Sequence, residues 1–574
     1  MKRAALFLLV ACTHNGTPGP PGRPKQQPPP LDPLVVAQRL SDETHALLRT
    51  EGELLWKLWT TGAGPLPASA MAEHPQLAQH ESAQMVAAAA ARAPPRALEL
   101  LAHQLATYSV SHDAGAEIEA LEHARAQLTF AAPAEGDGSA GARAKAAGRS
   151  IGDERADRGE RDLDRLLTEE SSAQKRLALA QAEAKAAQSL APLALARDAA
   201  VEKAIAALGL GSWASLEERG HGLPVAEIAS LAEKTLAATE AATARAVAGA
   251  SVRNLGVTAD RLRRADLPRL VRTALADAEF RAGRAWPVAM EVFTAIDAEP
   301  PPGLQLDAEP SPSKGARPLA LLVDPPVDVR LSLRPAGGFE EQRATLHEGA
   351  RALGGALAHP ERWELAQLGD GSAAEGAAQL FEELAGEPLF LREQTALRGE
   401  PLDDLVHTQA ARRLLGARRA AALILFEVRR REQAQTGEAQ AALYRELLQR
   451  ATLARFSEED GGRWALEADI WLRGATALLG AVLAAQIDRA LGQQWWKSKS
   501  SGAALRKVWA GGRSMTALEG ARALGLTELD PAALAAVAEE RLSYQAPDPA
   551  PKAPKPDYKY MQGDKRRRKR HKKR

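Results

Sequence analysis

Leu319-Ala320-Leu321-Leu322-Val323 is followed, after Asp324-Pro325-Pro326, by Val327-Asp328-Val329-Arg330-Leu331-Ser332-Leu333-Arg334, and this stretch decides the fold. The first run is wholly apolar. In the second, Val327, Val329, Leu331 and Leu333 alternate with Asp328, Arg330, Ser332 and Arg334, a period of two that predicts a strand with one face on the core. Pro325 and Pro326 adjoin its start, as expected of an edge strand that needs no ladder N–H there. Gly337-Gly338 turns the chain, and a helix is expected from Phe339 to about Leu357. Strand, turn and helix lead to His347-Glu348-Gly349-Ala350-Arg351.

Outward from this stretch the chain reads as helix. Among 574 residues aromatics make up only 4%, and Ala, Leu, Arg and Glu dominate, which favours helix over strand and argues against an all-β sandwich or barrel. Leu54, Leu55, Leu58 and Trp59 fall at helical spacing within an amphipathic region from Leu34 to Thr129. Pro133 to Gly148 breaks the pattern. Glu160 to Leu208 reads as one or two long charged helices whose charges form a solvated face. Helices are expected again from Val225 and from Ala259 to Ile296. Trp56 with Trp59, and Trp495 with Trp496, are read as core rather than as ligand contacts. The expected fold class is mainly α: a large two-lobed helical body with one small β region near 319–334.

Both ends differ from the body. Lys2 and Arg3 precede the apolar run Ala4 to Ala11, and Cys12, the only cysteine, follows it. Eight apolar residues cannot span about 30 Å of hydrocarbon as a helix, so the run reads as a secretory signal. Leu9-Val10-Ala11-Cys12 resembles the bacterial lipoprotein signal, in which the cysteine carries the lipid. Thr13 to Pro30 is rich in Pro and Gly and reads as an extended tether reaching up to about 55 Å. At the other end, Lys565 to Arg574 holds nine Lys or Arg; without them the remainder has 65 basic against 73 acidic residues. The body is therefore mildly acidic and is not a nucleic-acid binder by composition. The basic tail is suited to anionic lipid or an acidic envelope polymer. One cysteine also excludes a disulfide framework.

The His347 helix carries a damaged zinc motif. In His-Glu-x-x-His, residues i and i+4 share a face, so that two imidazoles reach one metal while the Glu polarises its water. Here His347 and Glu348 stand in place, but Arg351 occupies the second ligand position. Glu375, 28 residues after His347, is where a third ligand would come from. A guanidinium cannot ligate a metal, and at about 5 Å from Zn²⁺ it would cost about 7 kcal/mol in repulsion at an effective dielectric of 20.

The chain resembles the thimet oligopeptidase and oligoendopeptidase F family of zinc metallopeptidases, with the peptidyl-dipeptidase A family a close second. Asp328-Val329-Arg330-Leu331 running through Gly337-Gly338 to Leu346-His347-Glu348 carries the likeness. Lys314, Ala265 to Arg269, Leu478 to Ile487 and Arg506 to Leu534 fit more loosely. The resemblance covers about Val225 to Leu542, and Leu34 to Leu208 is similar only in being helical. It implies a helical two-lobed fold, a zinc site and oxyanion donors from Tyr and His of the carboxy-terminal lobe. The departures are Arg351 and the absence of any Tyr or His between Ala451 and Ser543, with Tyr444 and Tyr544 lying outside. His359 is in another register and rescues nothing.

The regions expected are a signal peptide at 1–11, a lipidated Cys12 with its tether over 12–33, an N-terminal helical region over 34–224, a metallopeptidase-like domain over 225–544 and a basic tail over 545–574. His347 and Glu375 are vestigial metal ligands and Glu348 a vestigial catalytic residue, with Arg351 free to pair with Glu375 where the metal was. No cofactor is expected, zinc being the alternative. The function expected is that of a lipid-anchored protein of the bacterial cell envelope, periplasmic or surface facing and catalytically inactive, that binds an extended peptide or envelope protein or acts as an assembly factor. The strand Val327 to Leu333 would pair that peptide at its edge. The alternatives are an active zinc oligopeptidase with atypical ligands and a purely structural helical protein. Cys12→Ser should release the protein from membranes; its retention in the membrane fraction at high salt, where the basic tail is screened, would refute the lipid anchor.

Overall fold

A computed structural model describes residues 32–92, 96–128, 160–433 and 436–547. Cys12, nearly all of the tether, the 133–148 break and all but the first three residues of the basic tail lie outside these residues. Helices dominate, from Pro33–Thr61 at one end to Ala532–Leu542 at the other. One core cluster runs from Val36 to Ala538 and takes in Trp213 and Leu216 as well as Val225 and Ile228. It therefore passes through position 224/225 without a break.

The only sheet among the described residues has three strands, β1 (Leu304–Asp307), β2 (Leu319–Asp324) and β3 (Asp328–Ser332), in the order β1-β3-β2. β3 runs parallel to β1 and antiparallel to β2, with Val329 opposite both Leu304 and Leu322. Val329 and Leu331 are buried against Ala352 and Ala356, so the alternation read from sequence faces the helix that carries His347. Arg330, on the other face, donates to Glu53 and Asp328. Val327 is 73% exposed and lies outside the strand.

Three expectations need correction. The strand Val327 to Leu333 is no edge: β3 is central, its hydrogen-bonding sides taken by β1 and β2, so it cannot pair a peptide. β1 has only four residues, two of them exposed, and gives almost no signal in sequence. Ala259 to Ile296 is not continuous helix either. It contains short turns at Ala259–Arg261, Arg264–Asp266 and Ala274–Glu279, and only Ala285–Ala295 is a longer helix. Here Arg264 and Asp266 are drawn inward to ion pairs that a regular helix would not reach.

Those pairs overturn the third expectation. Glu160 to Leu208 forms three helices, and their charges are not simply a solvated face, since Arg176, Glu183 and Arg197 are all buried. Arg176 donates to Asp266 at 2.7 Å. Glu183 accepts from Arg264 at 3.3 Å and from Arg463, while Arg264 also donates to Asp460 at 2.5 Å. Buried charges persist only when paired and hydrogen-bonded, and this network stitches the Ala173–Gln188 helix to segments almost 300 residues further on. Trp495 and Trp496 are buried, as expected. Gly474–Leu491 is apolar and long enough to cross a membrane, but 61% of it is buried inside the protein, where it packs along Ser372–Glu382.

Glu183→Gln should lower unfolding free energy by about 3 kcal/mol, because it leaves buried guanidinium charge unbalanced. Urea denaturation measures this, and a loss under about 1 kcal/mol would mean the network is effectively solvated.

Candidate functional site

Two helices build the site. The first, Phe339–Ala356, starts where Gly337 and Gly338 take positive φ and where the Asp277 carboxylate caps the Phe339 N–H at 3.0 Å. Leu346, Ala350 and Leu353 bury its inner face. The second, Ser372–Glu382, starts after Gly371, with the Asp370 carboxylate accepting from the Ser372 N–H at 3.0 Å. It lies close against Gly474–Leu491 because Gly376 and Gly480 face each other, and a Cβ on Gly480 would stand 2.8 Å from the Glu375 side chain.

The two helices bring His347 and Glu375 together across 28 residues. His347 Nε2 lies 3.3 Å from Glu375 Oε1 and 3.8 Å from Glu382, and Nδ1 lies 3.2 Å from Glu348. Gln379 donates to Glu375 at 2.9 Å. Glu348 accepts the Ala320 N–H of β2 at 2.8 Å, tying the sheet to the site. Glu382 pairs with Arg343. Arg351 does not pair with Glu375 as expected from the sequence. Its carboxylate neighbour is Glu348, at 3.6 Å, because Glu375 is already taken by His347 and Gln379.

The electrostatics follow from this packing. Burial opposes a charge on His347, but the carboxylates of Glu348 and Glu375 outweigh it and hold the imidazole up at about 9. Burial likewise opposes charge on Glu375, yet His347 and the Gln379 hydrogen bond bring it down to about 2. Glu348 is also lowered, against burial, by His347 and Arg351. Near neutral pH the carboxylates of Glu348 and Glu375 are thus closed against the imidazolium of His347, with Arg351 beside Glu348. A carboxylate held this low is a poor general base.

The site opens on a cleft of about 1090 Å³ lined by His347, Glu348, Glu340, Arg334, Arg412 and others. Tyr444 lines the same cleft, although it precedes the Ala451 to Ser543 segment that lacks Tyr and His. It is 2% exposed, burial drives its hydroxyl well above 10, and the hydroxyl bonds Glu467. Gln379 and Glu382 were legible in principle, at i+4 and i+7 from Glu375. Behind the second helix, His221 sits between Glu217 and Asp370 at 3.4 Å from each and is held up at about 9 against burial by both.

No family model matches the chain, and no curated protein matches it in sequence. Among solved structures the fold is found again. A 3.1 Å crystal structure of a protein provisionally described as oligoendopeptidase F superimposes with a TM-score of 0.59 at 14% identity, covering 88% of this chain and 91% of the other. The fold is therefore oligoendopeptidase F-like, as the sequence resemblance implied.

Both raised imidazoles contribute stability that is full below pH 6.5 and lost as pH rises through about 9. Chemical denaturation should show stability falling over that window. His347→Gln should remove part of the fall and leave the part due to His221. An unchanged slope would mean that His347 is not held as an imidazolium.

Proposed function

We propose that this chain is a lipid-anchored protein of the bacterial envelope that uses a metallopeptidase-like cleft to bind peptide or protein segments without cleaving them. The observation that carries the reading is the closed set of charges at His347, Glu348, Glu375 and Arg351 beside an open cleft. Zinc, which the resemblance implies, does not fit these residues. Catalytic zinc normally has three protein ligands, and Arg351 takes one position with a cation that cannot ligate. Among the described residues no group of three or more His, Cys, Asp or Glu side chains is arranged to hold a metal ion. The cleft is not filled by side chains, which favours binding over a purely structural role. A guest would be engaged by cleft side chains rather than by strand addition to β3. Lipid on Cys12 would hold the body at the membrane, and the 565–574 tail would adsorb to anionic lipid or polymer.

The purified chain should carry no stoichiometric zinc, should show no chelator-sensitive peptidase activity, and should deplete a mixed-sequence decapeptide pool in equilibrium dialysis. Arg351→His rebuilds two imidazoles on one helical face and should raise zinc affinity while leaving a poor enzyme. One tightly held zinc in the unaltered chain would overturn the non-catalytic reading, and no peptide depletion would overturn the binding role.

A further inference from the structure

One turn along the site helix from His347 lies a second, smaller pocket of about 160 Å³, bordered by Arg351, Gly354, Glu375, Asp370, Trp509 and Arg513. Its wall is backbone laid on backbone. Gly369, Gly371 and Gly512 all take positive φ, and the Gly371 N–H donates to the Arg513 carbonyl at 3.0 Å. A Cβ on Gly354 would stand 2.9 Å from the Trp509 indole nitrogen, so glycine there lets the indole edge meet the helix.

Two buried donors at the pocket are unmet. Trp509 is 1% exposed, and its indole N–H has no acceptor among the described residues. The buried Nε–H of Arg513 has none either, and the guanidinium's bond to the Gly369 carbonyl is long, at 3.3 Å. Arg351 meets a carboxylate only at 3.6 Å. The two carboxylates on the rim are engaged elsewhere: Glu375 with His347 and Gln379, Asp370 with His221 and Ser372. Buried polar groups are satisfied in the great majority of cases, so two unmet donors around one space call for an acceptor. Guanidinium is shaped for a carboxylate or phosphate.

We infer that this pocket binds a carboxylate group, one oxygen taking the Trp509 indole N–H, with Arg513 and Arg351 supplying the charge. The rim carboxylates offset part of the two positive charges, which selects a monoanion over dianionic phosphate. The small volume suits a carboxylate bearing a short side chain. If the cleft binds peptide, on which this part of the inference rests, the carboxylate is the carboxy terminus of a peptide ending in a small residue.

The test uses the full chain with ¹⁵N-indole label. Ten indole signals are expected, and Trp509→Phe assigns the relevant one. Sodium acetate titrated against chloride at constant ionic strength should shift the Trp509 signal saturably, and Arg513→Gln should weaken that binding tenfold or more. Arg351→Gln, at a more exposed position, should weaken it as well and serves if Arg513→Gln does not fold. Absence of a saturable shift, or a shift untouched by these substitutions, overturns the inference, as does tighter binding of inorganic phosphate than of acetate. Trialanine as the free acid should bind at least tenfold more tightly than trialanine amide. If acetate binds at Trp509 while neither peptide does, the pocket stands and the peptide reading falls. If both peptides bind equally and acetate does not, the pocket falls and the peptide reading stands.

Discussion

The approach of Phe339–Ala356 to Ser372–Glu382 is the constraint on which the centre of this molecule depends. Small residues sit at the neighbouring crossings, Gly349 under Trp286 and Gly376 against Gly480, and His347 meets Glu375 between the two site helices. A glycine inside a helix costs up to about 1 kcal/mol relative to alanine, so this closeness is maintained against local propensity. Once the helices meet, the imidazole cannot avoid two carboxylates, and its proton becomes part of the packing. β2 adds the last constraint by giving its Ala320 N–H to Glu348, which fixes one carboxylate relative to the sheet.

The same logic extends to the periphery. Chain segments far apart in sequence are joined by buried guanidinium groups: Arg176 pairs with Asp266 and Arg463 with Glu183, while Arg418 donates to the Leu236 and Ala451 carbonyls and reaches the exposed Glu240. Arginine suits such joints because its planar fork satisfies several acceptors at once. With aromatics scarce and alanine abundant, helix contacts bury little area per residue, and charged joints supply specificity of register that alanine surfaces lack.

What could be read from the sequence was whatever repeats locally. The alternation of Val329, Leu331 and Leu333 marked a strand, and the Gly337-Gly338 turn marked the start of the site helix at Phe339. The pairing of His347 with Glu375 was legible only because a known motif prescribes it. β1 was not legible, being four residues whose strand character comes from lying beside β3. Nor was the burial of Arg176 and Glu183, since a charged helix looks the same in sequence whether its partners are water or residues 90 and 280 positions away. Trp509 and Arg513 lay beyond sequence reasoning for the same reason: the glycine loops that set them beside Arg351 act through backbone contact.

Charge balance explains how this site can keep the metallopeptidase fold on the reading proposed above. Glu348 and Glu375 present two negative charges in a partly buried space, and in a zinc enzyme of this shape the divalent ion would answer them. Here a protonated His347 and the guanidinium of Arg351 supply two positive charges on the same helical face. Arginine at 351 thus has a part in the charge balance of the site. A neutral residue there would leave one carboxylate unmatched, and burial would push it toward protonation. With arginine, both carboxylates stay ionised and His347 keeps its proton. Arg351 also borders the pocket that Trp509 lines, so the guanidinium that answers the site's carboxylates is one of the donors that pocket would need for an anion.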